Sequence, residues 1–329
     1  IHIVDKRDSS KSYSRMKNIE DFATKVRAAA GMSANFELIT KQTKLGGNGP
    51  IFANALIQQN HQITYFGSIG EKVIHPLFTE FAQGCEKVFS WCKPGYTQAL
   101  EFLDGKIMIG KAEHLEDVNW EKMLQSTNEK ELLEIIDSSK LIAITNWTGL
   151  INLNSIFRGI TNLLKKSKHN PFVFIDLADP TKRTSKDIKE LLEIISNLNK
   201  FSSVIFGLNK NESRLIAENL NIFEENLKLR ASEIQKKMNI DFVVIHPLEG
   251  AVCATVDKTI WVDGPYTKNP KMTTGAGDNF NSGFCNGCLN KLNVEESLAV
   301  GVMTSGYYVR NCKSPSREEL IDFIDEWVK

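Results

Sequence analysis

The chain has 329 residues, 42% hydrophobic and 24% charged, and its 40 basic residues balance its 40 acidic ones. That is apolar material for one large core, or one core with a small appendage. A formal charge of zero leaves no electrostatic footprint for nucleic acid, and no run approaches the apolar length of a membrane helix. The six scattered cysteines (Cys85, Cys92, Cys253, Cys285, Cys288, Cys312) make no disulfide framework, which suits a reducing cytoplasm.

The chain opens Ile1-His2-Ile3-Val4-Asp5, with neither Met nor a signal-peptide pattern, and reads as trimmed at its start. Ile1–Val4 is a β-type run leading into the polar stretch 5–17. Apolar residues at Ile19, Phe22, Ala23, Val26 and Ala30 predict a helix over 19–30. A strand at 36–39 precedes the turn Gly46-Gly47-Asn48-Gly49-Pro50, which opens a helix carrying Ile51, Ala55 and Leu56. A strand over 63–66 follows. Two apolar runs, 98–102 and 106–109, are joined by Asp104-Gly105, a hairpin signal.

From there the alternation is regular. Helices are predicted over 120–136, 153–164 and 188–198, and over 212–238 with a break near 219–221. They alternate with strands at 141–145, 172–176, 204–207 and 242–246. Strands at 252–256 and 259–262 come next, then a helix bearing Asp278 and final helices at 294–309 and 318–328. Near-continuous apolar strands such as Phe172-Val173-Phe174-Ile175 suit a parallel sheet buried on both faces. The class is α/β: a doubly wound, mostly parallel sheet with helices on both faces.

Residues 270–289 organise this pattern. Thr273-Thr274-Gly275-Ala276-Gly277 is a small, flexible turn opening a helix, where Phe280 and Phe284, and Gly283 and Gly287, each lie four apart. The first backbone N–H groups of such a helix lack intrahelical partners and, with the helix dipole, suit a phosphate or a developing anion. Asp278 at this mouth can cap the helix or accept a proton from an attacking hydroxyl, and the spacing leaves both readings open. Cys285 and Cys288, a C-x-x-C pair on the same helix, read as packing residues, since no second pair supplies further metal ligands.

Thr273-Thr274-Gly275-Ala276-Gly277-Asp278 resembles the signature of the ribokinase-like (PfkB) family of carbohydrate and nucleoside kinases. The upstream Gly46-Gly47-Asn48-Gly49-Pro50 resembles that family's substrate-side motif. The resemblance implies one kinase domain over 1–329, with a small β-lid formed from parts of 1–45 and 95–112. It makes Asp278 the general base and the backbone of Gly275, Ala276 and Gly277 the anion hole. It turns Gly46, Gly47 and Asn48 toward the sugar. Glu101, an alternating polar position on the candidate lid strand, reads either as solvent-facing or as a sugar-binding residue. Asn209 and Glu212 match the family's Asn-x-x-Glu, which helps hold Mg²⁺ through water. Without the family, the same pair reads as an Asn-headed capping box. Thr274, Gly277 and Asn209 fall on the ATP side. His246 joins them, as a phosphate contact or simply as the end of a buried strand.

The chain departs from the family in places. Met272 stands where a cation-site Asp is common, and His246-Pro247-Leu248-Glu249-Gly250 replaces a Thr and a Gly-containing turn. The segment that carries the family's substrate-binding Asp, after its first strand, is missing or lies before Ile1. Asp176, Asp179, Lys182 and Arg183 follow a strand end, where α/β sheets bind ligands, though the basic pair also reads as a solvated turn.

The expected activity is ATP- and Mg²⁺-dependent phosphorylation of a hydroxyl on a sugar or sugar derivative, with a nucleoside as the alternative acceptor. A homodimer is the candidate assembly, and neither nucleic acid nor membrane is an expected partner. The rival from another class is a binding protein of the same fold without turnover. The chain has no P-loop, and no G-x-G-x-x-G follows an early strand, which disfavours a nicotinamide dehydrogenase.

Overall fold

The structure, a computed structural model, describes residues 1–328. Lys329, the end of the expected domain, lies outside them. The chain divides into two compact units, Ile1–Leu45 with Pro94–His114, and Gly46–Lys93 with Leu115–Lys329.

In chain order, the first unit begins with β1 (His2–Arg7), β2 (Tyr13–Arg15), α1 (Ile19–Ala28) and β3 (Leu38–Ile39). The second unit then starts with α2 (Asn48–Gln58), β4 (Thr64–Gly67), α3 (Thr79–Gly84) and β5 (Lys87–Ser90). The hairpin β6 (Tyr96–Glu101) and β7 (Lys106–Lys111) returns to the first unit. That unit holds a three-stranded sheet, order β2-β1-β3, and its own apolar cluster of Ile3, Met16, Leu100 and Phe102.

The rest belongs to the second unit. Helices α4 (Trp120–Ser126) and α5 (Glu129–Ser138) precede β8 (Leu141–Ile144), α6 (Leu153–Leu164) and β9 (Phe172–Asp176). Next come α7 (Ser185–Leu198), β10 (Ser203–Leu208), α8 (Lys210–Asn219), α9 (Leu227–Met238) and β11 (Phe242–Ile245). β12 (Gly250–Ala254), β13 (Thr259–Asp263), α10 (Ala276–Leu289), α11 (Val294–Asn311) and α12 (Arg317–Val328) complete it. The six-stranded sheet runs β13-β12-β11-β10-β9-β8. β8 to β11 are mutually parallel, whereas β12 and β13 each pair antiparallel.

Alternation along the central strands explains the two helical layers. Val173, Ile175, Val204, Phe206 and Leu208 point into one cluster with α6, α7 and α9. Phe174 and Ile205 point into the other, with Phe52 of α2, Phe280 and Phe284 of α10, and Val302 of α11. Both faces are buried, as apolar parallel strands require. The second unit has the expected α/β arrangement, a mostly parallel sheet with helices on both faces. Among the described residues no helix is long and apolar enough to cross a membrane.

Several boundaries differ from expectation. The helix predicted over 120–136 is two helices, because the Asn128 side chain caps a second start by accepting from the Glu131 N–H. The strand expected at 252–256 lies at 250–254, leaving Val256 exposed. Only Leu38–Ile39 of the strand at 36–39 forms. β5, with the unremarkable sequence Lys-Val-Phe-Ser, escaped prediction and pairs with β4 in a separate parallel ribbon. Cys285 is buried in the core and Cys288 is partly buried beside it, as packing residues should be.

Helices α10 and α11 pack at backbone distance. A Cβ on Gly287 would stand 2.6 Å from Ser297 Cα, and one on Gly283 2.8 Å from the Val300 carbonyl oxygen. Because the atom met at Gly287 is main chain, it cannot rotate aside. Gly287→Ala is expected to destabilise the protein by about 1–3 kcal/mol, the usual result of overpacking. Denaturant unfolding checks this, and an unchanged midpoint would show that the two helices separate freely.

Candidate active site

The C-terminal ends of the parallel strands gather the polar residues. β9 ends in Asp176, β10 runs into Asn209 and β11 into His246. The starts of α2 and α10 meet there too. The Asn48 Nδ2 donates to Asp278 Oδ1 at 3.1 Å, joining residues 230 positions apart. The two glycine-rich turns found in the sequence are therefore neighbours.

Each turn needs its glycine. Gly47 and Gly275 have φ of 92° and 93°, in the left-handed region that side chains avoid. Gly275 is the residue before α10, and no side chain caps the helix. The Ala276 N–H donates to the Thr273 carbonyl at 3.2 Å, and the first i−4 bond runs from Asn279 to Gly275. One of the three expected anion-hole donors, Ala276, is thus engaged within the turn. The N–H groups of Gly277 and Asp278 lie at the open helix start, where the macrodipole favours negative charge.

Asp278 is in the third helical position and does not cap. It is 9% exposed, and burial raises its carboxyl pKa to about 7. The Asn48 bond pulls the other way, while Glu212 adds to the rise. At neutral pH this carboxyl is poised between its two protonation states, as a proton acceptor should be.

Asn209 and Glu212 form the capping box in full. Asn209 Oδ1 accepts from the Glu212 N–H at 2.9 Å, and Glu212 Oε2 accepts from the Asn209 N–H at 2.8 Å. Glu212 Oε1 accepts from the Asp179 N–H at 2.9 Å. Burial raises the Glu212 pKa despite these bonds. Asp176 has no such compensation on one oxygen. Its Oδ2 accepts from Asn281 Nδ2 at 3.1 Å, while the buried Oδ1 has no partner. Burial first, then Glu212 and Asp278, push this carboxyl well above the usual range. Three buried carboxyls thus influence one another. Sequence reading placed Asp176 at the ligand edge without its burial; the signal was Asn281, one helical turn after Asp278.

His246 packs its ring on Phe280, with centroids 4.7 Å apart, and its Nε2 is buried without a partner. Burial pulls its pKa down to about 4, so it is a neutral imidazole at pH 7. A Cβ on Gly277 would lie 3.2 Å from the His246 Cε1, so the ring stands at the α10 start. Thr274 and Gly46 are exposed in their turns. Glu101 is exposed on the first unit's hairpin, opposite Lys106. Arg183 is not a solvated residue. Its guanidinium stacks 4.2 Å from the Trp147 ring centroid, whereas Lys182 is exposed.

The family model described as prokaryotic ketohexokinase matches residues 1–327. A ketohexokinase of Haloferax volcanii is 27% identical over 329 residues, 99% of this chain and 87% of that protein. The Arabidopsis thaliana ribokinase, solved with ribose and ATP, superposes with a TM-score of 0.69 at 18% identity, covering 89% of this chain and 91% of that one. The adenosine kinase of Sinorhizobium meliloti also gives 0.69, at 14% identity over 95% of this chain and 89% of that one. The last two likenesses show the fold. The chain is a carbohydrate kinase that phosphorylates a hydroxyl, and it belongs to the prokaryotic ketohexokinase family.

Proposed function

We propose that the acceptor is a ketohexose, that ATP is the phosphoryl donor, and that Asp278 is the general base. The acceptor is read from the family match and the ketohexokinase relative, and the observation that carries the base assignment is the Asn48–Asp278 contact, which brings the two glycine-rich turns to one point. The Asn48 amide donates to one oxygen of Asp278 and holds the carboxyl in place, leaving the other oxygen to receive a proton. As the sugar oxygen bonds to the γ-phosphorus, its proton passes to Asp278, and ADP leaves with the electrons of the broken P–O bond. The N–H groups of Gly275 and Gly277 meet the charge that grows on the transferring group. They are fixed before reaction, so no reorganisation is needed.

The open start of α10 fits a nucleotide phosphate, because no side chain caps it and two glycines allow close approach. Thr274 and His246 lie beside that start, His246 as a neutral group. Mg²⁺ would neutralise phosphate charge when bound. Among the described residues no group of three His, Cys, Asp or Glu could hold a metal directly. Glu212 and Asn209 suit support through water instead, since each Glu212 oxygen accepts one backbone N–H and keeps a lone pair. The proposal of the first unit as the lid rests on the family resemblance, and that of Glu101 as a sugar contact on its polar position along the hairpin strand β6. A reducing cytoplasm is likewise proposed, from the six free thiols.

ADP production measured against ketohexoses, ribose and adenosine tests the acceptor. Turnover is expected with a ketohexose at a kcat/KM at least tenfold above that for adenosine. Preference for adenosine would overturn the reading. The pH dependence tests the base. Asp278 works only when ionised, and burial raises its pKa to about 7, so kcat/KM should fall tenfold per unit as pH drops below that value. A profile flat down to about pH 5 would mean that another group takes the proton, or none does.

A further inference from the structure

The turn before α10 is held from outside by the last turn of α11. The N–H groups of Lys271 and Met272 donate to the Val309 carbonyl at 2.8 and 3.3 Å. The neighbouring Tyr308 is 6% exposed, and its hydroxyl donates to the Thr274 carbonyl at 2.9 Å. The same hydroxyl lies 3.1 Å from Met272 Sδ. A Cβ on Gly275 would come within 2.8 Å of that hydroxyl, so the ring end sits directly on the turn.

The peptide unit is planar and trans, so its C=O and N–H point in opposite directions. A bond that fixes the Thr274 carbonyl therefore also fixes the Gly275 N–H. Gly275 has φ 93° and ψ 0°, where no side chain limits rotation of the peptide before it. Without the Tyr308 hydroxyl, the Thr274–Gly275 peptide loses the hydrogen bond that orients its carbonyl.

We propose that Tyr308 is a positioning residue for phosphoryl transfer: its hydroxyl locks the Thr274–Gly275 peptide so that the Gly275 N–H stays aimed at the charge that develops there. The inference rests on the phosphotransfer reading above and deepens it. Burial, with Asp278 next, pushes the Tyr308 phenol up to about 12, so it remains a donor at any working pH. No local pattern in the sequence signals this role, because the register of α11 alone brings Tyr308 to the turn.

The test is Tyr308→Phe, which keeps the ring and removes the donor. Tyr307→Phe, on the same helix, is the control for losing a phenol hydroxyl. Loss of a whole anion-hole donor costs about 10²–10³ in kcat, and a donor left in place but misdirected should cost less. For Tyr308→Phe, kcat with the best sugar should fall about ten- to a hundredfold, with the sugar KM within about twofold. The Tyr307→Phe kcat should stay within twofold of wild type, and melting curves on both variants exclude unfolding as the cause. A Tyr308→Phe kcat less than fivefold below wild type would overturn the positioning role while leaving the kinase reading intact. An equal loss in both variants would overturn it too, by showing a general effect on α11. Wild-type protein that turns over no sugar would sink the phosphotransfer reading itself, and this inference with it.

Discussion

Removing a carboxylate from water costs several kcal/mol unless fixed dipoles replace its hydration. Asp278 receives only part of that replacement: one side-chain amide from Asn48 and the positive end of α10. The shortfall appears as a carboxyl whose pKa burial raises to about 7. A well-solvated aspartate would be a far weaker base, and a fully compensated one would already be committed to its partners. The incomplete compensation is what gives Asp278 an affinity for a proton. Everything around it either maintains the burial or holds the helix start in place.

Two other buried carboxyls share this burden. Glu212 closes the start of α8 and accepts from the Asp179 N–H. To present that N–H, Ala178 and Asp179 both adopt the left-handed region, with φ of 58° and 53°. Such residues cost of order 1–3 kcal/mol each and persist where surrounding structure imposes them. Asp176 reaches α10 itself, through Asn281. The strand ends are thus tied to α10 by polar bonds, while Phe174, Ile205, Phe280 and Phe284 tie them by apolar contact. On the other side, α11 approaches within backbone distance because Gly283 and Gly287 leave room.

Much of this was legible in the sequence, for a physical reason. Strands buried on both faces must be apolar throughout, so Phe172–Ile175 and Phe242–Ile245 announce themselves. Gly47 and Gly275 occupy conformations that select glycine, which made both turns visible as motifs. What escaped depends on contacts distant in sequence. β5 is a strand only because β4 pairs with it, and Asn128 divides a continuous helical pattern by offering its own cap. Arg183 looked like a solvated basic residue until Trp147 was placed beneath it. The Asn209–Glu212 spacing could not separate a cap from metal support; the cap is formed. Asp278 read equally as cap or base from spacing alone, and its position three residues inside α10, bonded to Asn48 rather than to the helix start, removes the cap.

The central claim is that Asp278 accepts the proton, and steady-state turnover of Asp278→Asn tests it most directly. Asn keeps the size of the side chain and removes the proton acceptor, without touching the backbone donors at the helix start. Turnover should fall by roughly 10²–10⁴, the usual contribution of positioned acid–base catalysis. ATP affinity should stay within a fewfold of wild type, because the donors proposed to meet the phosphates are main-chain groups. Near-normal turnover by a folded variant that binds ATP would contradict the account.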